Sequence, residues 1–400
     1  MRLIADLHIH SRFSRATSPQ MNLEALAHWA KIKGIGLLGT GDFTHPQWLK
    51  ELREGLVSEG NGLYLYSDVR FMLTTEISLI WKQRERVRKV HVLVLAPSFA
   101  AVERINHDLA LIGNLASDGR PILGVSAQRL AEVVWNADDM AEIIPAHVWT
   151  PWFSIFGSRS GFDSVEECFG KHTERIFAIE TGLSSDPPMN WRLSTLDHLT
   201  LISNSDAHSP SKLGREATLF DLPEPSYKSV IDAMKTRDPA RFLGTIEFYP
   251  QEGKYHYDGH RKCGIVLSPR AAMRLDNSCP VCGKPLTIGV LHRVEELADR
   301  QDDSARSVRP PYRSLVPLEE IISQALGVGV KTKTVSREYA RLIEEFRNEF
   351  RILLDLPREE MEGHMPERIL RGIMAVRSGD VDVIPGYDGL YGLVRIPIDA

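Results

Sequence analysis

The chain has 400 residues, 43% of them hydrophobic and 25% charged, with a net charge of −5. That length exceeds one small core and fits two or three domains, and the composition excludes a disordered or fibrous chain. The mild negative charge excludes a global attraction to polyanions, so any nucleic-acid surface has to be local.

The chain opens MRLIADLHIH, a start that predicts a strand instead of a signal peptide. Residues 2–5 read as a short apolar strand leading into Asp6, His8 and His10. Alternate side chains of a strand share a face, so these three groups are expected to point the same way. Two imidazoles beside a carboxylate suit a divalent cation. Residues 23–33 have helical periodicity closed by Gly34 as a C-cap. A second apolar strand over 35–38 runs into the loop GTGDFTH, which carries Asp42 and His45. A helix is predicted over 46–59, and the strand 70–80 contains Glu76. His91 begins the strand 90–95, and helices are predicted over 100–116 and 130–136. The strand 143–147 ends in His147 and leads into an aromatic loop with Trp149, Trp152 and Phe153. The strand 176–180 ends in Glu180, a helix starts within 190–197, and the strand 199–206 ends in Asp206, close to His208. This is the rhythm of a parallel α/β fold, which carries its site at the carboxyl ends of strands. Seven such strands predict a barrel or near-barrel. His8, His10, Asp42, Glu76, His91, His147, Asp206 and His208 would gather at one mouth as metal-coordinating candidates.

The segments DLHIH, GDFTH, TTEIS, VHVLVLAP, PAHVWTP and SNSDAH, in this order, resemble the motifs of the polymerase and histidinol phosphatase (PHP) superfamily over residues 1–245. The resemblance implies a distorted seven-stranded β/α barrel that hydrolyses phosphate esters at a trinuclear metal centre. By it, His8, His10, Glu76 and Asp206 hold one metal and carry the catalysis. Glu76 bridges to a second metal, held also by His91 and His147, and His208 belongs to a third with Asp42 or His45. Two positions depart from the pattern. Arg15 stands where an acid or histidine is common, and Asp42-Phe43 replaces the usual Asp-His pair. Glu180 reads as a ligand or as a carboxylate behind the ligands. Clustered divalent cations, zinc with manganese or magnesium as alternatives, suit in-line displacement at phosphorus. Ser209, Lys212 and Arg215 read either as a phosphate grip or as a solvated helix start.

Beyond Gly244 the composition changes. HRKC (260–263) and CPVC (279–282) bring a histidine and three cysteines together at zinc-knuckle spacing. A structural zinc on His260, Cys263, Cys279 and Cys282 is expected, with His256 and His292 as rival fourth ligands. Cysteines used this way suit the reducing cytoplasm. The charged, proline-containing stretch 300–317 reads as a linker, and 318–326 as a helix. The glycine-rich turn GVGVKTK follows. The segment 336–354 predicts an amphipathic helix capped by Ser336, and 366–378 another helix. PGYDGLYG (385–392) is a tight turn presenting Tyr387 and Tyr391, which suit base stacking or pin the tail to the barrel. The expected domains are 1–245 (barrel), 246–300 (zinc module) and 301–400 (mainly helical).

HRKCG, CPVCGKPLTIGVLHRVEELADR and PGYDGLYG, added to the PHP motifs, resemble endonuclease Q over essentially the full chain. That resemblance implies a DNA-repair endonuclease cutting 5′ to deaminated bases (hypoxanthine, uracil, xanthine) and abasic sites, with the damaged nucleotide turned out of the stack. Damaged DNA, single- or double-stranded, is the expected partner of a monomer, with Trp149, Trp152, Arg159, Arg192, Lys212, Arg215, Tyr387 and Tyr391 as candidate contacts. No membrane span is expected, and no tail motif for a sliding clamp is present. The competing reading is a PHP-type small-molecule phosphoesterase, which leaves the zinc module and tail without a role.

Overall fold

The structure, a computed structural model, describes residues 1–301 and 310–398. Part of the expected linker, 302–309, lies outside the described residues. Strand β1 (Arg2–Asp6) pairs in parallel with β2 (Leu37–Gly39), which pairs in parallel with β3 (Val69–Gln83). Helices α1 (Leu23–Lys33) and α2 (Pro46–Gly55) connect them, and α2 stops four residues short of the expected end. The parallel rhythm breaks after β3, which turns straight back into the antiparallel β4 (Arg86–Ala96). The two-residue loop Arg84–Glu85 has φ of 49° and 65°. Positive φ at both positions gives the turn whose twist matches a hairpin. Neither residue is Asn or Gly, so the usual sequence signal is missing.

Helix α3 (Phe99–Ala110) leads to β5 (Ile122–Leu123), parallel to β3. Helix α4 (Ala127–Ala137) leads to β6 (Glu142–Pro145), antiparallel to β4. β7 (Ala178–Glu180) and β8 (Thr200–Ile202) pair in parallel as a separate two-stranded sheet, and β9 (Ala217–Asp221) runs antiparallel to β1. The expected barrel is therefore not closed by ladders among the described residues. Isolated bonds span the gaps: Val148 N donates to the Glu180 carbonyl at 3.0 Å, and Ser203 N to the Thr218 hydroxyl at 3.1 Å, which in turn donates to the Ser203 carbonyl at 3.0 Å. Both strands of the separate pair are three residues long; Glu180 is the last residue of β7, and Asp206 follows four residues after β8.

These strands belong to a unit formed by Met1–Ala30, Ile35–Thr245 and Glu296–Pro311. Leu3, Ala5, Leu37, Met72, Leu93, Ile144 and Ile202 form its core with Val230 and Met234 of helix α5 (Tyr227–Thr236). Each buried Leu, Ile, Val or Met side chain among them stabilises by about 1.5–3 kcal/mol. Ser226 caps α5 reciprocally with Ser229.

The second unit comprises Lys31–Gly34, Ile246–Glu295 and Tyr312–Ala400. Its first part is the hairpin β10 (Asp258–His260) and β11 (Ile265–Leu267). Ala272, Cys279 and Leu286 are the buried centre of this part, with Cys263, Ile265, Leu267 and Ile288 around them. So small a core does not hold a fold unaided. Helices α6 (Leu318–Leu326), α7 (Lys333–Phe346) and α8 (Glu367–Ser378) follow. α7 starts before Ser336, because the Thr332 side chain accepts from Val335 N as its cap. It ends at Arg347, whose φ is 79°, well before residue 354. The hairpin β12 (Asp382–Ile384) and β13 (Leu393–Arg395) carries the glycine turn.

Candidate metal centre

The first unit gathers six ligand groups. His8 and His10 lie just beyond β1, Glu76 is in mid β3, His91 in β4, His147 beyond β6, and Asp206 beyond β8. His8, His10, Glu76 and Asp206 form one group, and Glu76, His91 and His147 a second. Within each, the ligand atoms lie within 4.8 Å of one another, the spread of atoms around a single cation. His10 Nε2 is 2.9 Å from Asp206 Oδ1 and 3.2 Å from Glu76 Oε2. His91 Nδ1 and His147 Nε2 are 2.6 and 3.0 Å from Glu76 Oε1, and 3.1 Å from each other. Glu76 thus turns one oxygen to each group.

The atoms fit a cation. His8 Nε2 is buried without a hydrogen-bond partner, a costly state for a polar atom unless an ion is to fill it. The antiparallel β3–β4 pairing explains how His91 joins: Ser78, on the same face of β3 as Glu76, lies opposite His91, and the Ser78 hydroxyl is 2.7 Å from His91 Nε2. Burial works against protonating His8 and His10. For His8, Glu180 and Glu76 overcome it and raise the pKa well above the ordinary value; for His10, Asp42 and Asp206 do the same. Burial also works against the charge on Glu76, yet His91, His8 and Arg120 hold its carboxyl well below the ordinary value.

Behind the ligands stands a ring of orienting groups. Glu180 Oε2 is 2.9 Å from His8 Nδ1 and also accepts from His147 N, so Glu180 is a carboxylate behind the ligands. Asn204 donates to Glu180 Oε1. Asp42, expected as a ligand, sits behind His10: its Oδ1 is 3.0 Å from His10 Nδ1, and its Oδ2 accepts from Ser11 N and from the Ser11 and Ser14 hydroxyls. Each partner fixes which ring nitrogen faces the centre. Asp6 does not share a face with the two histidines. β1 ends there, and the Asp6 carboxylate accepts from Ser205 N, the Ser205 hydroxyl and Gly214 N. It braces the turn before Asp206. Asp42, His147 and Asp206 all take positive φ, at 51°, 29° and 47°, and such strain gathers at functional sites. Gly182 makes the His147 position feasible, because a Cβ there would run into His147.

His208 stands outside both groups, with Nδ1 2.8 Å from the Asp206 carbonyl and its ring 4.6 Å from that of His10. His45 stacks on Phe13 instead of facing the ligands. Sequence reasoning passed over Arg120, whose Nη1 lies 3.0 Å from Glu76 Oε2. Its only signal was the tripeptide Gly-Arg-Pro before a short strand.

In the second unit His260, Cys263, Cys279 and Cys282 form a third group, with His260 Nδ1 3.4 Å from Cys282 Sγ. The rivals lie elsewhere: His292 pairs with Asp258 at 2.6 Å, and His256 stacks on Tyr257, where burial pushes its imidazole down to about 4. Partial desolvation opposes the Cys279 thiolate, but the backbone N–H groups of Cys282 and Val281 bring its pKa down to about 6, a thiolate ready for a metal.

The candidate DNA contacts divide. Trp149 is buried, its indole N–H donating to Asn190 at 2.8 Å, so it serves the core and cannot stack on a base. Trp152 and Arg159 are exposed, while Arg192, Lys212 and Arg215 are half-buried. Arg192 donates to the Arg300 carbonyl, and Lys212 ends the short turn Pro210–Lys212. Tyr387 packs over Gly259, and Asp388 accepts from Arg261 N and the Thr287 hydroxyl, so the turn is fastened to the segment that carries His260 and Cys263. Tyr391 is 76% exposed.

Two candidate metal-ligand groups joined by one carboxylate, on the strands of a mixed sheet and the segments just beyond them, put this chain in the PHP class. Residues 191–239 match the family described as PHP-associated, and 317–380 match the MJ0043 C-terminal domain. The lesion-specific endonuclease PfuEndoQ from Pyrococcus furiosus is 34% identical, superposes with a TM-score of 0.89, and pairs 99% of this chain with 96% of its own. An endonuclease Q in complex with a 27-mer duplex carrying an abasic lesion at the active site gives 34% identity, a TM-score of 0.87, and coverage of 100% and 98%. The chain belongs to the endonuclease Q family. The Methanocaldococcus jannaschii protein MJ0043 is 33% identical over 68% of this chain, which spans only 35% of that protein's length.

Proposed function

We propose that this chain is a metal-dependent DNA endonuclease that hydrolyses the phosphodiester 5′ to deaminated bases (hypoxanthine, uracil, xanthine) and to abasic sites. The observation that carries the reading is Glu76, one buried carboxylate with an oxygen turned to each of two ligand groups. Divalent cations held there would supply an activated water and stabilise charge on both reacting oxygens. His8, His10 and Asp206 hold the first position; His91 and His147 hold the second. Asp42 and Glu180 keep the imidazoles aimed. Asp206 is the ligand with the greater exposure, 29% for its side chain, so the substrate approaches from its side. His208, whose ring lies 4.6 Å from that of His10, is the candidate for a third cation. Zinc is the ion proposed for the group of one histidine and three cysteines, and zinc, manganese or magnesium for the barrel.

Trp152, Arg159, Arg192, Lys212, Arg215 and Tyr391 are the proposed DNA contacts. The zinc module (246–300) and helical domain (301–400) act on the DNA while the domain 1–245 cuts it. No helix among the described residues is long and apolar enough to cross a membrane, and the protein is proposed to work as a cytoplasmic monomer. The test uses end-labelled duplexes, each with one hypoxanthine, uracil or abasic site, in Mg²⁺ or Mn²⁺. Cleavage directly 5′ to the lesion is expected, falling by about 10³-fold or more in Asp206→Asn. Release of phosphate from a small phosphomonoester with no cleavage of any lesion would replace this reading with the phosphoesterase one.

A further inference from the structure

Asp118 to Pro121 is a loop with no role yet, and it is fastened to the metal centre from both sides. Gly119 N donates to the Phe13 carbonyl at 2.9 Å, and the Gly119 carbonyl accepts from the Thr44 hydroxyl at 3.2 Å. A Cβ at residue 119 would run into the Asp42 carboxylate and the Ser14 hydroxyl, so only glycine lets the loop press against the groups that hold His10. On the other side the Pro121 carbonyl accepts from Ser78 N at 3.0 Å, and Ile122 pairs in parallel with Ser78, two residues beyond Glu76. Between these anchors Arg120 N donates to Asp118 Oδ1 at 3.1 Å, and the proline after it favours an extended backbone. This much fixing for one residue has one visible result. The Arg120 guanidinium lies 3.0 Å from Glu76 Oε2, the oxygen that faces His8 and His10, while a quarter of the side chain stays exposed.

The charges say what that guanidinium is for. Four carboxylates touch the imidazoles: Glu76, Asp206, Asp42 and Glu180. Two divalent cations in the two ligand groups would balance them. Glu76 would then have both oxygens engaged, Asp118 is paired with Arg15 at 3.3 Å, and Arg120 would be a surplus positive charge beside an open site. A phosphodiester brings one negative charge and two non-bridging oxygens, which a planar guanidinium meets with parallel hydrogen bonds. We propose that Arg120 grips the scissile phosphodiester and holds it against the Glu76 side of the centre. The inference rests on the DNA-endonuclease reading. It predicts a contact that a residue merely neutralising Glu76 would not make.

The test uses full-length, metal-loaded protein with Arg120→Gln and Arg120→Lys. Metal content is measured by elemental analysis. Binding of a fluorescent abasic duplex is measured by anisotropy in Ca²⁺, with a gel to verify that the strand stays intact. A second duplex carries a neutral methylphosphonate at the scissile linkage. Wild type should prefer the charged duplex by about tenfold or more. Arg120→Gln should keep its metal, bind the charged duplex about tenfold more weakly, and lose most of that preference; Arg120→Lys, charged but without the fork, should fall between. The proposal is overturned if Arg120→Gln keeps the preference. It is also overturned if that variant loses metal and regains full affinity when metal is restored, because Arg120 then only balances Glu76. Wild type that neither binds nor cuts the abasic duplex overturns the endonuclease reading along with it, whereas wild-type cutting with an unchanged Arg120→Gln removes only the role given to Arg120.

Discussion

Asp42 and Glu180 show how little freedom the metal-facing imidazoles have. Each carboxylate bonds the nitrogen of a histidine that points away from the centre, and each is itself held by further donors. Removing such a partner leaves the ligand in place but lets the ring rotate and lowers its basicity. Glu180→Gln and Asp42→Asn are therefore each expected to weaken metal binding by about 10–100-fold with the fold intact. Titration calorimetry with Mn²⁺ measures this, and an unchanged affinity would return both residues to a purely structural role. Asp42 had the sequence signal of a ligand, an acid in a loop after a strand. Nothing in one dimension separates an acid that meets the metal from one that meets a histidine, because only the position of Ser11 and Ser14 beside it uses up its oxygens.

The hairpin β10–β11 and the helices of the second unit rest on different supports. The hairpin's core is three buried residues and their neighbours, so its order depends on the His260, Cys263, Cys279, Cys282 group. Cys263→Ser is expected to lose the zinc of this group and to open the segment 258–290 to limited proteolysis, leaving cleavage sites elsewhere unchanged. Protection equal to wild type would mean that the apolar contacts suffice. The helices are held by a buried ion pair. Lys33, at the end of α1, lies 2.5 Å from Glu349, which also accepts from the Tyr339 hydroxyl and from Leu318 N at the start of α6. Burial opposes the Glu349 carboxylate, and Lys33 and Tyr339 more than offset it, so its pKa lies below the ordinary value. A lowered carboxyl stabilises fully above the ordinary glutamate range, and that contribution is lost as the pH falls through the lowered value. Lys33→Met strands the carboxylate and is expected to cost about 3–5 kcal/mol in urea melts near neutral pH, with less difference from wild type in acid. A loss under about 1 kcal/mol would count against the pair.

At the scale of the whole molecule, metal binding and stability are coupled. The ligands of the centre come from β3, β4 and the segments beyond β1 and β6, all of one sheet, and from the segment beyond β8, which among the described residues pairs only with β7, so a cation held there would tie the two sheets together. At a metal concentration about a hundredfold above Kd, the gain is about 2.7 kcal/mol. Chelation should therefore lower the melting temperature, and Mn²⁺ should restore it; equal melting with and without metal would show that the site forms no link. The sequence by itself determined a good deal: seven strands in the order found up to residue 208, though not the short strand 122–123, the six residues of the two groups that share Glu76, and the group of one histidine and three cysteines. These are local signals, since acids, histidines and cysteines at strand ends and knuckles are read from types and spacing. It did not separate the exposed candidate contacts from the buried one. Trp149 reads as a base contact because it shares an aromatic loop with Trp152 and Phe153, yet it is buried and donates to Asn190. The parallel rhythm hid the β3–β4 hairpin, whose turn lacks Asn and Gly. Only the tertiary structure decided which oxygen of Glu76 serves which group, that Asp42 and Glu180 stand behind the ligands, and that Arg120 reaches the centre. Those facts depend on contacts between residues tens to hundreds of positions apart, and neither periodicity nor spacing carries information over that distance.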